Sequence, residues 1–267
     1  MISITTNNKI FQAKDIIVAT GGCGYPSLGG SINSFNFLKN IGHTITPLYP
    51  AMIPLQTKED WVSNCRADTI PKATIKIDIK KYSKQKAFGD LIFTKNGIRG
   101  PVVLDFSKYI TPLLDKYLQV PILINLTQGK NENEIHTILN NRFNNNHEES
   151  IINTLSSIIP LSLAKVMCKL NNILPNEKFN TISGDKKNSL LKYLAWTPLT
   201  ITGSDGFEKA MVTNGGINLK QINPKTMRSK LFDNLYFAGE VINLDGPCGG
   251  FNLQIAFSTG VLAAQSI

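Results

Sequence analysis

Between Asn234 and Gly260 the chain reads N-L-Y-F-A-G-E-V-I-N-L-D-G-P-C-G-G-F-N-L-Q-I-A-F-S-T-G, and few folds accommodate that order. Leu235 to Ala238 reads as a short buried strand that stops at Gly239-Glu240. The chain then crosses a Gly/Pro loop and enters an apolar helix, expected over Leu253 to Ala264, through Gly249-Gly250. A strand end, a backbone free to approach a ligand and a helix N-terminus meet in one place, which is the anatomy of a nucleotide-cofactor site. Nowhere is a strand followed by G-x-G-x-x-G, the turn that holds a pyrophosphate.

A second strand with similar punctuation lies near the start. Ile16 to Thr20 is a continuous apolar run ending at Gly21-Gly22, which predicts a strand buried on both faces. It is preceded by Met1 to Thr6 and Ile10 to Lys14 around Asn7-Asn8, a pair suited to a tight hairpin turn. Phe35 to Ile41 has a short helical pattern closed by Gly42.

From residue 46 to 126 the pattern changes to alternating strands, expected at Thr74 to Lys80, Leu91 to Thr94, Val102 to Phe106 and Gln119 to Leu126, an antiparallel sheet or barrel. From 131 to 195 the apolar period is helical, as in Ile151/Ile152/Leu155/Ile158/Ile159, with the Asn140 to Asn146 tract expected as a loop. Thr197 to Thr202 and Lys209 to Thr213 return to strand, and Asn214-Gly215-Gly216 reads as a turn. The expected organisation is nested. Residues 1–45 and 214–267 form an α/β unit, 46–126 with 196–213 a β insert, and 127–195 a helical insertion within it.

At 42% hydrophobic and 18% charged, the 267 residues are too apolar for disorder. No run approaches the roughly 20 uncharged apolar residues that span a bilayer, and the first residues lack a signal-peptide pattern. The expectation is a cytoplasmic protein with no membrane partner. The formal charge of +9 suits either nucleic acid or an anionic ligand. Lys72 to Lys86 alternates with Ile75, Ile77 and Ile79, so these lysines read as the wet face of a strand, and Tyr and Phe fall mostly in apolar runs. No nucleic-acid partner is expected. Cys23, Cys65, Cys168 and Cys248 are scattered, with neither a disulfide frame nor a metal site suggested. His43, His136 and His147 have no triad context, and no catalytic acid or base can be named.

Several segments carry a family resemblance. Ala19-Thr-Gly-Gly22, Leu91-Ile-Phe-Thr-Lys-Asn-Gly-Ile-Arg-Gly-Pro-Val-Val-Leu104, Val212-Thr-Asn-Gly-Gly-Ile217, Lys225-Thr-Met-Arg-Ser-Lys230 and the terminal Gly-Glu…Gly-Gly-Phe-Asn resemble the HI0933-like flavoproteins. These are NAD(P)/FAD-dependent oxidoreductases that include the aminoacetone-oxidase-like and BaiN-like proteins. The resemblance implies an α/β (α+β overall) fold. Its parts are an incomplete Rossmann-like FAD-binding domain, an inserted antiparallel β-barrel-like domain and a helical subdomain.

It also implies FAD as cofactor, NAD(P)H as transient reductant, and a small-molecule substrate that exchanges hydride with the flavin. The family's strand, Gly-rich turn and helix for the FAD pyrophosphate are absent from this sequence. That leaves two readings, a flavoenzyme and a non-catalytic remnant or subunit completed by an upstream-encoded chain. The sequence also departs from the family at Leu28-Gly-Gly-Ser-Ile-Asn-Ser-Phe35, where Ile32, Asn33 and Ser34 replace a glycine-rich acidic turn, and at Lys95 and Arg99, where histidine and serine are common.

The candidate cofactor-binding residues are Thr20, Gly21, Gly22, Gly239, Glu240, Asp245, Gly249, Gly250, Phe251, Asn252 and Leu253. The strand-end carboxylate of Glu240 suits cofactor hydroxyls, and the helix N-terminus suits the electron-rich edge of a reduced flavin. Asp245 reads equally as a cap of the Gly246-Pro247 turn, and Cys248 reads as a small buried residue.

Overall fold

The computed structural model describes residues 2–6 and 8–267; Met1 and Asn7, and with Asn7 half of the expected hairpin turn, lie outside the described residues. The chain divides into two compact units, Met1–Ile53 with Asp205–Ile267, and Pro54–Ser204. The first opens with strands β1 (Ile2–Thr5), β2 (Ile10–Ala13) and β3 (Ile16–Val18), helix α1 (Asn33–Asn40) and β4 (Ile45–Ala51). The second runs β5 (Leu55–Thr57), β6 (Thr69–Ile77), β7 (Lys86–Phe93), β8 (Gly97–Arg99), α2 (Pro101–Tyr117), β9 (Val120–Asn125), α3 (Glu132–Asn145), α4 (Ile151–Ser156), α5 (Leu161–Leu170), α6 (Gly184–Ala195) and β10 (Thr197–Ser204). The chain returns to the first unit with β11 (Val212–Ile217), β12 (Leu235–Phe237) and α7 (Phe251–Ala264).

In the first unit β3 and β12 run parallel, with Ile16 opposite Leu235 and Val18 opposite Phe237. Residues 235–237 are all buried, as their apolar run requires. The β3 side departs from expectation, because Ile17 is 37% exposed. Among the described residues β3 has a strand neighbour on one side only, and parallel strands become buried on both faces only inside a covered sheet.

The ribbon β4–β11, from Ile45 opposite Ile217 to Ala51 opposite Val212, also lies in this compact unit, which ends at Ile53 and resumes at Asp205. Asn214-Gly215-Gly216 stays inside β11, its turn-like character absorbed as a register shift between Asn214 and Gly216. Helix α7 packs on β12 and on the 3-10 turn Gly239–Val241 that follows it. Its apolar residues run round the whole cylinder, so burying Thr259 and Ala263 leaves Leu253, Phe257 and Val261, spaced i, i+4, i+8, more than half exposed.

In the second unit six strands close into an antiparallel barrel in the order β10-β5-β8-β7-β6-β9. Ile75, Ile77, Leu91, Phe93, Ile122 and Ile124 alternate into its core. Val102 to Phe106, expected as a strand, is the first turn and a half of α2. Gly100 at φ +102° and Pro101 at the first position start the helix, and Val102, Val103, Phe106, Ile110 and Leu113 bury one face at helical spacing. The β-branched pair Val102-Val103 imitates a strand only over a short window. The Asn-rich tract also stays helical to Asn145, because Leu139 and Phe143, one turn apart, are buried while Asn141, Asn144 and Asn145 face solvent. Its start is a capping box between Asn131 and Glu134.

Candidate functional site

The two parallel strands finish side by side, and each runs into a glycine with left-handed backbone, Gly21 at φ +74° after β3 and Gly239 at φ +75° after β12. Ligands of open α/β sheets bind outside these carboxyl ends. The ladder continues one step further, with Ala238 N–H donating to Val18 O at 3.0 Å.

Beyond that step side chains lock the ends together. The Gly239 N–H donates to Thr259 Oγ1 of α7 at 2.9 Å, and that hydroxyl donates to Ile255 O at 2.7 Å. Glu240 Oε1 accepts the Thr213 N–H of β11 at 2.8 Å, and Thr213 Oγ1 accepts the Cys23 N–H at 2.8 Å. The segment after β3, the middle of β11 and the segment after β12 are thus tied through one carboxylate and one hydroxyl. A Cβ on Gly22 would overlap Glu240 Oε1 and Thr213 Oγ1, so only glycine fits there. Burial, followed by the charge of Glu240, pushes the Cys23 thiol above its usual range, so this thiol stays protonated and inert.

Beside this knot lies a cleft of about 350 Å³, within the first unit. Glu240 contributes its carboxylate, Met52, Met211 and Leu244 apolar walls, and Gly249 and Gly250 a floor of bare backbone at the mouth of α7. Gly250, at φ +87°, is the N-cap of α7, and with no side-chain cap and no acid in the first turn, the helix's first N–H groups are left for an acceptor. The loop before the helix is held by Asn252, whose Oδ1 accepts the Gly246 N–H at 2.9 Å and whose Nδ2 donates to Gly246 O at 3.0 Å.

Of the residues singled out in the sequence, Glu240, Gly249, Gly250, Asn252 and Leu253 line the cleft. Gly22 and Gly239 serve its construction, and the Asn252 amide is spent on the loop. Thr20 is exposed and Gly21 half-buried at the neighbouring strand end, Asp245 is half-buried in the loop, and Phe251 is exposed at the helix start. Cys248, expected to be buried, is instead exposed and lines the cleft, because its loop runs along the cleft wall rather than through the core.

Thr213, Thr259, Met52 and Met211 escaped the sequence reading. A Thr in the middle of the mostly apolar helix α7 is the signal the sequence offers for Thr259. The others come from segments remote in sequence. His43, which has no triad context in the sequence, is 2% exposed, with its Nε2 2.9 Å from Ser229 Oγ and its ring edge-on to Phe237.

Comparison with known proteins places the arrangement in context. The family model described as HI0933-like protein Rossmann domain matches residues 1–266. The 3-dehydro-bile acid delta(4,6)-reductase of Clostridium scindens is 26% identical over 263 residues, covering 98% of this chain and 64% of that protein. The ribosomal RNA dihydrouridine synthase of Haemophilus influenzae is 26% identical over 264 residues, covering 99% and 63%. Its counterpart in Escherichia coli is 24% identical over 265 residues, covering 99% and 63%. The chain thus spans less than two thirds of the length of these curated relatives.

Proposed function

The chain belongs to the HI0933-like family, and from that premise we propose that its cleft receives the ring end of FAD in a flavin-dependent reductase. The observation that carries this reading is the meeting of Glu240, the bare Gly249-Gly250 backbone and the uncapped N-terminus of α7 in one apolar cleft. At about 350 Å³ the cleft is at the small end of ligand sites, which run roughly 300–1,000 Å³, and takes a ring system rather than a whole dinucleotide. When bound, FAD accepts hydride from a reductant such as NAD(P)H and passes it to substrate. The chain's own residues bind and orient. The α7 N–H groups favour an electron-rich ring edge, Glu240 accepts from cofactor hydroxyls with the oxygen that Thr213 leaves, and Met52, Met211 and Leu244 exclude water.

Two of the relatives' names, delta(4,6)-reductase and dihydrouridine synthase, denote saturation of a carbon–carbon double bond. We therefore extend the proposal to a small organic substrate with a double bond conjugated to a carbonyl, NAD(P)H being a transient reductant. We further propose that a pyrophosphate-binding turn, which the described residues do not hold, is supplied by another segment, of the same chain or of a separate one. The one-sided β3 and the exposed Leu253, Phe257 and Val261 stripe of α7 suit such a segment.

The test is a titration of FAD followed by flavin fluorescence, with this chain alone and with the additional third that the relatives possess. Binding that appears or tightens at least tenfold with the added segment, and is weakened by Glu240→Ala, is expected. Flavin bound equally by wild type and Glu240→Ala, or not bound in either arrangement, would remove the proposal.

A further inference from the structure

The second unit carries an uneven distribution of charge. Between residues 72 and 86 there are six lysines and one acid, Asp78. Ile75 and Ile77 point into the barrel, so the lysines of β6 and of the turn after it face out. Lys76 and Lys86 are direct cross-strand partners on the outer face of β6–β7, an arrangement of like charges that destabilises a sheet. Among the described residues none of the six lysines has an ion-pair partner. A fold gains nothing from such repulsion, whereas a polyanion placed across the pair would relieve it.

Rings stand among these charges. Lys76 Nζ lies 3.8 Å from the centre of the Trp196 ring, Lys81 Nζ 5.5 Å from that of Tyr82 and Lys116 Nζ 4.9 Å from that of Tyr117. Tyr82 and Tyr117 meet edge to face at 6.4 Å, which brings the turn after β6 and the end of α2 into one patch. Phe88, two residues along the outer face from Lys86, is 63% exposed, and Tyr117 is 38% exposed. Along the sequence Tyr and Phe fall mostly in apolar runs, which speaks against nucleic acid. The fold brings rings from distant segments up beside the lysines.

We propose that this outer face of β6–β7, with the end of α2, is a binding surface for single-stranded nucleic acid. The lysines take the phosphates, and Tyr117 and Phe88 offer faces on which unpaired bases stack. A duplex, its bases already stacked, uses the charge but not the rings. The surface lies in a different unit from the flavin cleft, and its occupation requires no flavin.

Fluorescence anisotropy of fluorescein-labelled dodecauridylate, titrated with the flavin-free chain over a series of salt concentrations, tests this. Exchange of Lys80, Lys81 and Lys84 for alanine together should reduce the slope of log affinity on log salt by about 2, at roughly 0.7 per phosphate contact in single strands. Tyr117→Ala should weaken oligonucleotide binding about tenfold while Tyr117→Phe retains it, and neither should alter binding of heparin, a polyanion without bases. These side chains are exposed or half-buried, and unchanged melting temperatures would show that the variants fold. An unaltered salt slope in the triple variant, equal affinities for Tyr117→Ala and Tyr117→Phe, or sedimentation with vesicles of 30% phosphatidylglycerol in phosphatidylcholine in place of oligonucleotide binding would each overturn the proposal.

Discussion

Glu240 Oε1 accepts the backbone N–H of Thr213 at 2.8 Å across 27 positions of sequence. Through Thr213 Oγ1 and the Cys23 N–H, the same carboxylate holds the segment that follows β3. A residue suited by sequence to bind a cofactor is therefore also the bolt that assembles the site. The two roles separate by oxygen atom and by charge.

Exchange of Glu240 for glutamine keeps an acceptor for Thr213 and removes the charge, so stability should change by less than about 1 kcal/mol. Glu240→Ala leaves the nearly buried Thr213 N–H without its partner, at a cost of about 1–3 kcal/mol. Gly22→Ala should cost a similar amount, since its methyl overlaps both Glu240 and Thr213. Urea unfolding midpoints check the order, wild type and Glu240→Gln above the other two. Equal midpoints for Glu240→Ala and Glu240→Gln would show that the bolt bears no load.

Stability should fall in mild acid on account of His43. Burial lowers its pKa below the ordinary 6.5, and its Nδ1 is buried without a hydrogen-bond partner. The unfolded chain therefore takes up the proton first. The contribution of neutral His43 is complete above pH 6.5 and is lost as pH falls from there toward the lowered folded value, by at most about 1.4 kcal/mol per pH unit. Urea midpoints of wild type and His43→Gln between pH 5 and 7.5 measure it. The wild type should lose more stability across this range, and parallel curves would exclude the effect.

Thiol reactivity should single out Cys248. Burial, then the nearby Asp68 charge, pushes the Cys65 thiol up to about 12, and burial followed by Glu177 pushes Cys168 up to about 11. Cys23 is buried and raised as well, whereas Cys248 is exposed on the cleft wall. Titration with a chromogenic disulfide at pH 8 should label one thiol rapidly in the native protein and four in denaturant, with the rapid phase absent from Cys248→Ser. FAD seated in the cleft should slow that phase severalfold. Rapid labelling of two or more native thiols would contradict the burial pattern.

The sequence by itself determined what depends on neighbours along the chain. Strand β12 with its Gly239-Glu240 stop, the Gly249-Gly250 entry to α7 and the alternation of β6 were legible because a side-chain period and a glycine act locally. The same local view misjudged α2, where Val102-Val103 imitates a strand until the buried positions Phe106, Ile110 and Leu113 restore the helical period.

Only the tertiary structure decided which distant groups meet. Thr213 comes to Glu240 because β11 is tied to β4 and the following turn, and Met52 reaches the cleft from more than 150 positions away. His43 is buried by Phe232 and Phe237, and Tyr82 reaches Tyr117 because α2 packs against β6 and β7. Long-range hydrogen bonds and ring contacts join residues whose separation carries no periodic signal. The strand ends, the helix start and the lysine-bearing strand face could be read in order, while the bond by which Glu240 fastens them to Thr213 and the rings set beside the lysines became visible only once the chain had folded.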